Sequence, residues 1–167
     1  DGDNYKLYTA IADPTGYIAE DTPLNHLAAH RAFSIYLPGR DIPMLPRILS
    51  QNLCSLRADE ARPALVGIMT ITKDGELLKD KTVFKLAKIQ SHGKLIYNEI
   101  SDYLEGVAGA KFTPSEEIKP ILSLLVEFTK VRDHYRSTHA ASFKNRPDYE
   151  FVLKDNGALD HIEVNHR

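Results

Sequence analysis

Two aromatic residues carry the sharpest chemical possibility in this chain. Tyr36 directly precedes Leu37-Pro38-Gly39, and Phe143 follows a histidine-bearing turn within Ser142-Phe143-Lys144. Aromatics beside cations at the ends of elements can stack nucleobases. They are also routinely core, and residue type alone favours the core. A cationic cluster runs through 130–146: Lys130, Arg132, Arg136, Lys144 and Arg146 face only Asp133, with His134 and His139 interleaved. It reads either as a solvated helix end, where cations are favoured, or as a strip that faces phosphates.

Metal and nucleophile chemistry finds less support. His26 and His30 are four apart, so a helix would put both on one face, but no acid lies between them and no third ligand is evident. His161, Glu163 and His166 near the C-terminal end form a second loose group, of the kind that binds metal adventitiously. Cys54, set in Leu53-Cys54-Ser55-Leu56, reads as a packed thiol rather than a nucleophile, because no base or polarising group accompanies it. Asp13 follows a strand-like run, where catalytic carboxylates often sit, yet Asp-Pro-Thr is also an ordinary turn. Asp59-Glu60 and Glu116-Glu117 look like loop and helix-start charges. A two-metal site needs several convergent carboxylates, and no such cluster is visible. No catalytic residue and no metal ligand is therefore assigned within the chain.

The elements that must position these residues follow from periodicity and punctuation. Tyr5–Ala12 alternates as a strand, and 13–16 (Asp-Pro-Thr-Gly) is a turn. Thr22-Pro23 opens a helix whose apolar face is Leu24, Leu27, Ala28, Ala32, Ile35 and Tyr36, and Pro38-Gly39 stops it. Residues 31–56 continue through Pro43 and Pro46 into a short apolar segment, too costly to order for a mere spacer. Residues 64–72 read as a buried strand, Lys73-Asp74-Gly75 as a hairpin turn, and 77–89 as a long, bent returning strand. Ser91 caps a helix that ends near Gly106. Residues 113–116 (Thr-Pro-Ser-Glu) form a capping box ahead of a helix to about Arg136, which Pro120 either kinks or truly starts. Two final strands flank Asp155-Asn156-Gly157.

At 167 residues, with 43% hydrophobic and 26% charged side chains, the chain supports one α+β domain with a real core. The net charge of −2 gives no global footprint for nucleic acid. No apolar run approaches the ~20 residues that span a bilayer. One cysteine fits a reducing cytoplasm. The first residue is Asp1 and not Met, which suggests a piece of something longer.

IADPTGYIAE, RAFSIYLPGRDIPMLPRILSQNLCSLRADEARPAL and HAASFKNRPDYEF together resemble the RNB catalytic domain of bacterial ribonuclease II (exoribonuclease II), over nearly the whole chain. The resemblance implies a partial RNB domain: an α+β fold with a mixed, mainly antiparallel sheet packed with helices. It implies a cytoplasmic, hydrolytic, processive 3′→5′ exoribonuclease that degrades single-stranded RNA to nucleoside 5′-monophosphates. Tyr36 and Phe143 match the family's two aromatic clamps on the RNA 3′ end. Tyr97 is a further residue along the RNA path, to which the cationic cluster offers Arg136 and Lys144. In the intact enzyme a cluster of aspartates holds Mg²⁺, which activates water and offsets charge on the scissile phosphate. Those aspartates, the downstream part of the domain, and the flanking cold-shock and S1 domains are expected to lie outside residues 1–167. The chain alone is then expected to be inactive and to hold no Mg²⁺ tightly. The alternatives are a non-catalytic RNA-binding module of the same fold and an unrelated α+β small-molecule binder. Single-stranded RNA is the one partner implied; no membrane and no protein partner is.

Overall fold

The apolar run at 64–71, rich in branched residues, becomes part of the middle strand of a three-stranded sheet. The computed structural model describes residues 4–140 and 147–165. Along it run β1 (Tyr5–Ala12), α1 (Pro23–Arg31), β2 (Ile35–Leu37), β3 (Arg40–Ile42), a π-helical turn (Ile48–Leu53), β4 (Ala61–Ile71), β5 (Leu77–Gln90), α2 (Tyr97–Glu105), α3 (Ile118–His139), β6 (Asp148–Leu153) and β7 (Leu159–Asn165). The sheet orders are β1-β4-β5, β2-β3 and β6-β7, and every strand pair is antiparallel. This is the expected α+β class with antiparallel sheets. The described residues form two compact units, one from 4–12 and 56–140, the other from 13–55 and 147–165.

In the first unit, β4 is paired along both edges. Tyr5 pairs with Ile71 and Ala12 with Ala64 on one side; Ala64 pairs with Ala87 on the other. Ala64, Val66 and Ile71 are buried. The ladder shifts register between Ile68↔Val83 and Thr70↔Leu78, so β5 carries extra residues there. Such a bulge bends a strand, which gives the expected long, bent β5. The hairpin turn closes with the Thr72 N–H on the Glu76 carbonyl and the Gly75 N–H on the Thr72 carbonyl, both at 2.9 Å.

That turn docks on α3. Gly75 has φ +94°, and a Cβ there would lie 2.7 Å from Tyr135 Cβ and 2.8 Å from the Val131 carbonyl oxygen. The Arg132 guanidinium donates to the Gly75 carbonyl oxygen. Two expected caps move. Ser115, not Thr113, accepts from the first helical N–H, at 3.4 Å from Ile118 N. A start at Thr113 would bury Pro120 inside the helix, whereas a start at Ile118 leaves it in the first turn, where its missing N–H costs nothing. Ser91 is not the cap of α2, which begins after Ile96; its carbonyl instead accepts from the Asp59 N–H at 2.7 Å. Gly106, at φ +70°, closes α2, with the Val107 N–H on the Asp102 carbonyl at 2.9 Å.

In the second unit the expected helix through Tyr36 is corrected. Thr22 is the expected cap of α1, accepting from the Asn25 N–H at 3.3 Å, but the helix ends at Arg31. Ala32 takes φ +63° and the Phe33 N–H bonds the Arg31 carbonyl at 2.8 Å, the strained γ-turn geometry. Ile35, Tyr36 and Leu37 then pair with Ile42, Asp41 and Arg40 across Pro38-Gly39. Apolar helical spacing was real, but the branched Ile35↔Ile42 pair and a Pro-Gly turn with positive φ at Gly39 favour a hairpin. The Arg31 guanidinium bonds the Pro43 carbonyl at 2.9 Å, and the Met44 N–H bonds Ser34 Oγ at 2.9 Å. Leu45, Leu49 and Cys54 are buried.

Two substitutions separate these backbone effects in denaturant unfolding. Gly75→Ala is expected to destabilise by about 2–4 kcal/mol, because it adds both a clash and a strained φ. Ala32→Gly is expected to stabilise by about 0.5–1 kcal/mol, relief of strain outweighing the entropy of glycine.

Candidate nucleic-acid interface

Tyr36 is 81% exposed, in the middle of β2, with Asp41 as its cross-strand partner. Among the described residues the ring is not packed into the buried core. Beside it lies a hollow of about 460 Å³ lined by Ser34, Tyr36, Arg40, Asp41, Ser50 and Gln51, among others. The Asp41 carboxylate accepts from the Arg47 guanidinium at 2.8 Å, and that hydrogen bond holds its carboxyl below the usual carboxylate range. Sequence reasoning missed Arg40, Asp41 and Arg47, seeing only a proline-marked connection. The available signal was a pair of opposite charges six residues apart across two prolines.

The other expected RNA contacts divide. Tyr97 is the first residue of α2 and is 93% exposed. Arg136 lies in the last turn of α3 and is exposed. Phe143 and Lys144 lie outside the described residues. The cationic cluster is not uniform: Arg132 is spent on the Gly75 carbonyl, with its guanidinium carbon 5.5 Å from the Tyr135 ring centroid. His139 stacks on Tyr135 at 4.2 Å and 11°. That end of the helix is therefore partly structural.

The remaining candidates have local partners. The Asp13 carboxylate accepts from the Thr15 hydroxyl at 2.7 Å and the Thr15 N–H at 3.0 Å, which lowers its pKa and makes it a turn residue. His26 and His30 are exposed on α1, and Cys54 is buried. His161 lies 2.9 Å from Asp160 and 3.3 Å from Glu163, while His166 lies outside the described residues. Among the described residues no three His, Cys, Asp or Glu side chains converge to hold a metal ion. No described helix is long and apolar enough to cross a membrane.

Comparison with known proteins supplies the context for this geometry. The family model for the RNB domain matches residues 1–167. The chain is 48% identical over 162 residues to Exoribonuclease 2 of Serratia proteamaculans, covering 97% of this chain and 25% of that protein. It is 44% identical over 167 residues to Exoribonuclease 2 of Vibrio vulnificus, covering 100% and 25%. The chain thus spans about a quarter of the length of these curated relatives. In fold it resembles Mycoplasma genitalium RNase R in complex with double-stranded RNA, at a TM-score of 0.86 and 24% identity over 95% of this chain and 28% of that one.

The acids beside His161 yield a pH prediction. The hydrogen bond to Asp160, then that to Glu163, raise its pKa above the ordinary imidazole value. Stability from this group is therefore full below the unfolded-state pKa and is lost as pH rises through the higher folded value. An NMR titration is expected to place the His161 midpoint above that of a histidine in a model peptide, and Glu163→Gln is expected to lower it.

Proposed function

This chain belongs to the RNB-domain family, and on that premise we propose that it is the strand-gripping part of a cytoplasmic 3′→5′ exoribonuclease. The whole protein degrades single-stranded RNA processively and hydrolytically to nucleoside 5′-monophosphates, and residues 1–167 form part of its single RNB domain. The observation that carries this reading is Tyr36, a large aromatic ring left 81% exposed on a pinned hairpin within an otherwise apolar stretch. A ring so held offers its face to a base. Stacking contributes about 1–3 kcal/mol per base and tolerates any sequence, as a non-specific exonuclease needs. Tyr97 and Arg136, both exposed, and Phe143 and Lys144 are the further RNA contacts in this reading.

The family reading brings with it a divalent metal, Mg²⁺ in our proposal, whose chemistry is to activate water and stabilise charge on the phosphate. The described carboxylates do not fit that role, since no three His, Cys, Asp or Glu side chains among the described residues converge to hold an ion. Asp13 is occupied by Thr15, Asp41 by Arg47, and Glu60 by Arg62. No hydrolytic step is assigned to these residues, and residues 1–167 by themselves are proposed to be inactive.

Three experiments test this. In the intact protein, Tyr36→Ala is expected to change the length of the final RNA product and to cost about 1–3 kcal/mol in binding short single-stranded RNA. An unchanged product length would remove Tyr36 from the clamp. Residues 1–167 incubated with single-stranded RNA and Mg²⁺ are expected to release no mononucleotides, and release would show that they hold a complete catalytic set. Phe143→Ala is expected to weaken binding to short single-stranded RNA more than it lowers stability in denaturant unfolding.

A further inference from the structure

The hollow beside Tyr36 has a charge arrangement that stacking alone does not require. Two charged side chains line it, Arg40 and Asp41. They are consecutive on β3, Asp41 opposite Tyr36 and Arg40 opposite Leu37. Their states differ. Asp41 is compensated by Arg47 at 2.8 Å, and the same guanidinium nitrogen lies 3.4 Å from the Asp41 carbonyl oxygen. Arg40 is exposed, and its side chain makes no hydrogen bond or ion pair with another described residue. The hollow therefore presents one unspent guanidinium, one neutralised carboxylate and one exposed ring on a single hairpin.

We propose that Arg40 grips a backbone phosphate of the RNA strand whose base stacks on Tyr36, and that the Arg47–Asp41 ion pair keeps the hollow's carboxylate from repelling that phosphate. This rests on the stacking reading of Tyr36. A guanidinium suits the task because its planar fork matches two phosphate oxygens at once. A bare carboxylate one residue away would oppose the same phosphate at short range, where salt screens little. Arg47 thus acts through Asp41, as a positioning residue, and Arg40 is the contact.

The test is binding of a labelled short oligoadenylate to the intact protein in EDTA, across a salt series. Arg40→Gln is expected to weaken binding about tenfold and to flatten the log–log salt slope by about 0.7, the value for one phosphate contact on a single strand. Arg47→Gln is expected to weaken binding, and adding Asp41→Asn to recover it to within about twofold. Asp41→Asn alone is expected to bind at least as tightly as the unaltered protein, which keeps the idea testable if Arg47→Gln disturbs the hairpin. An unchanged slope in Arg40→Gln overturns the proposal. So does a double variant as weak as Arg47→Gln, since Arg47 would then be the contact itself. Tyr36→Ala run alongside separates the two readings. If it weakens binding while Arg40→Gln does not, this inference alone fails; if it binds normally, the stacking reading fails with it.

Discussion

A glycine with no space for a side chain joins the sheet to the long helix. Gly75 lies against the backbone of α3 at Val131 and the Cβ of Tyr135, and its carbonyl takes the Arg132 guanidinium. The β1–β4 register brings Tyr5 opposite Ile71, at the same end of the sheet as this turn. Tyr5 holds α3 one turn earlier, donating to Glu127 and meeting Phe128 edge-on with centroids 5.4 Å apart. Two adjacent attachments therefore fix where the helix lies on the sheet. The end of α3 that carries Arg136 is placed by them.

Charge is distributed by partner rather than by total. With a net charge of −2 the chain exerts no long-range pull on a polyanion. Several of its cations have structural partners: Arg132 on a carbonyl, Arg62 on Glu60, Arg47 on Asp41. Beyond about 8–10 Å exposed charges are screened at physiological salt, so recognition of a phosphate depends on which cation remains unspent beside the strand. Global charge is a poor guide to such a surface for that reason.

The comparisons separate fold from site. A TM-score of 0.86 at 24% identity shows that the layout of sheets and helices survives replacement of most side chains. Packing tolerates substitution when volume and pattern are kept. Exposed residues such as Tyr36 and Tyr97 contribute little to that packing, so the fold does not constrain what occupies those positions.

The α+β class, the antiparallel pairing around Lys73-Asp74-Gly75 and Asp155-Asn156-Gly157, the long α3 and the family are all legible in the order of residues. Those signals are local: alternation, turn chemistry and caps act over a few residues, and a long motif is read directly. That Tyr36 stands in a strand and not at a helix end emerges only when the chain is folded. Its neighbours Leu24, Leu27, Ala28, Ala32 and Ile35 do have helical spacing, but a hairpin pairs Ile35 with Ile42 and so competes with continuing the helix. Only the structure brought Arg40 and Asp41 beside that ring, and Arg47 onto Asp41. Their grouping depends on a turn at Pro38-Gly39 and on the path through Pro43 and Pro46, which no periodicity encodes. It also decided which basic residues are spent. Arg132 looks like Arg136 in sequence, and only the close approach of Gly75 distinguishes them.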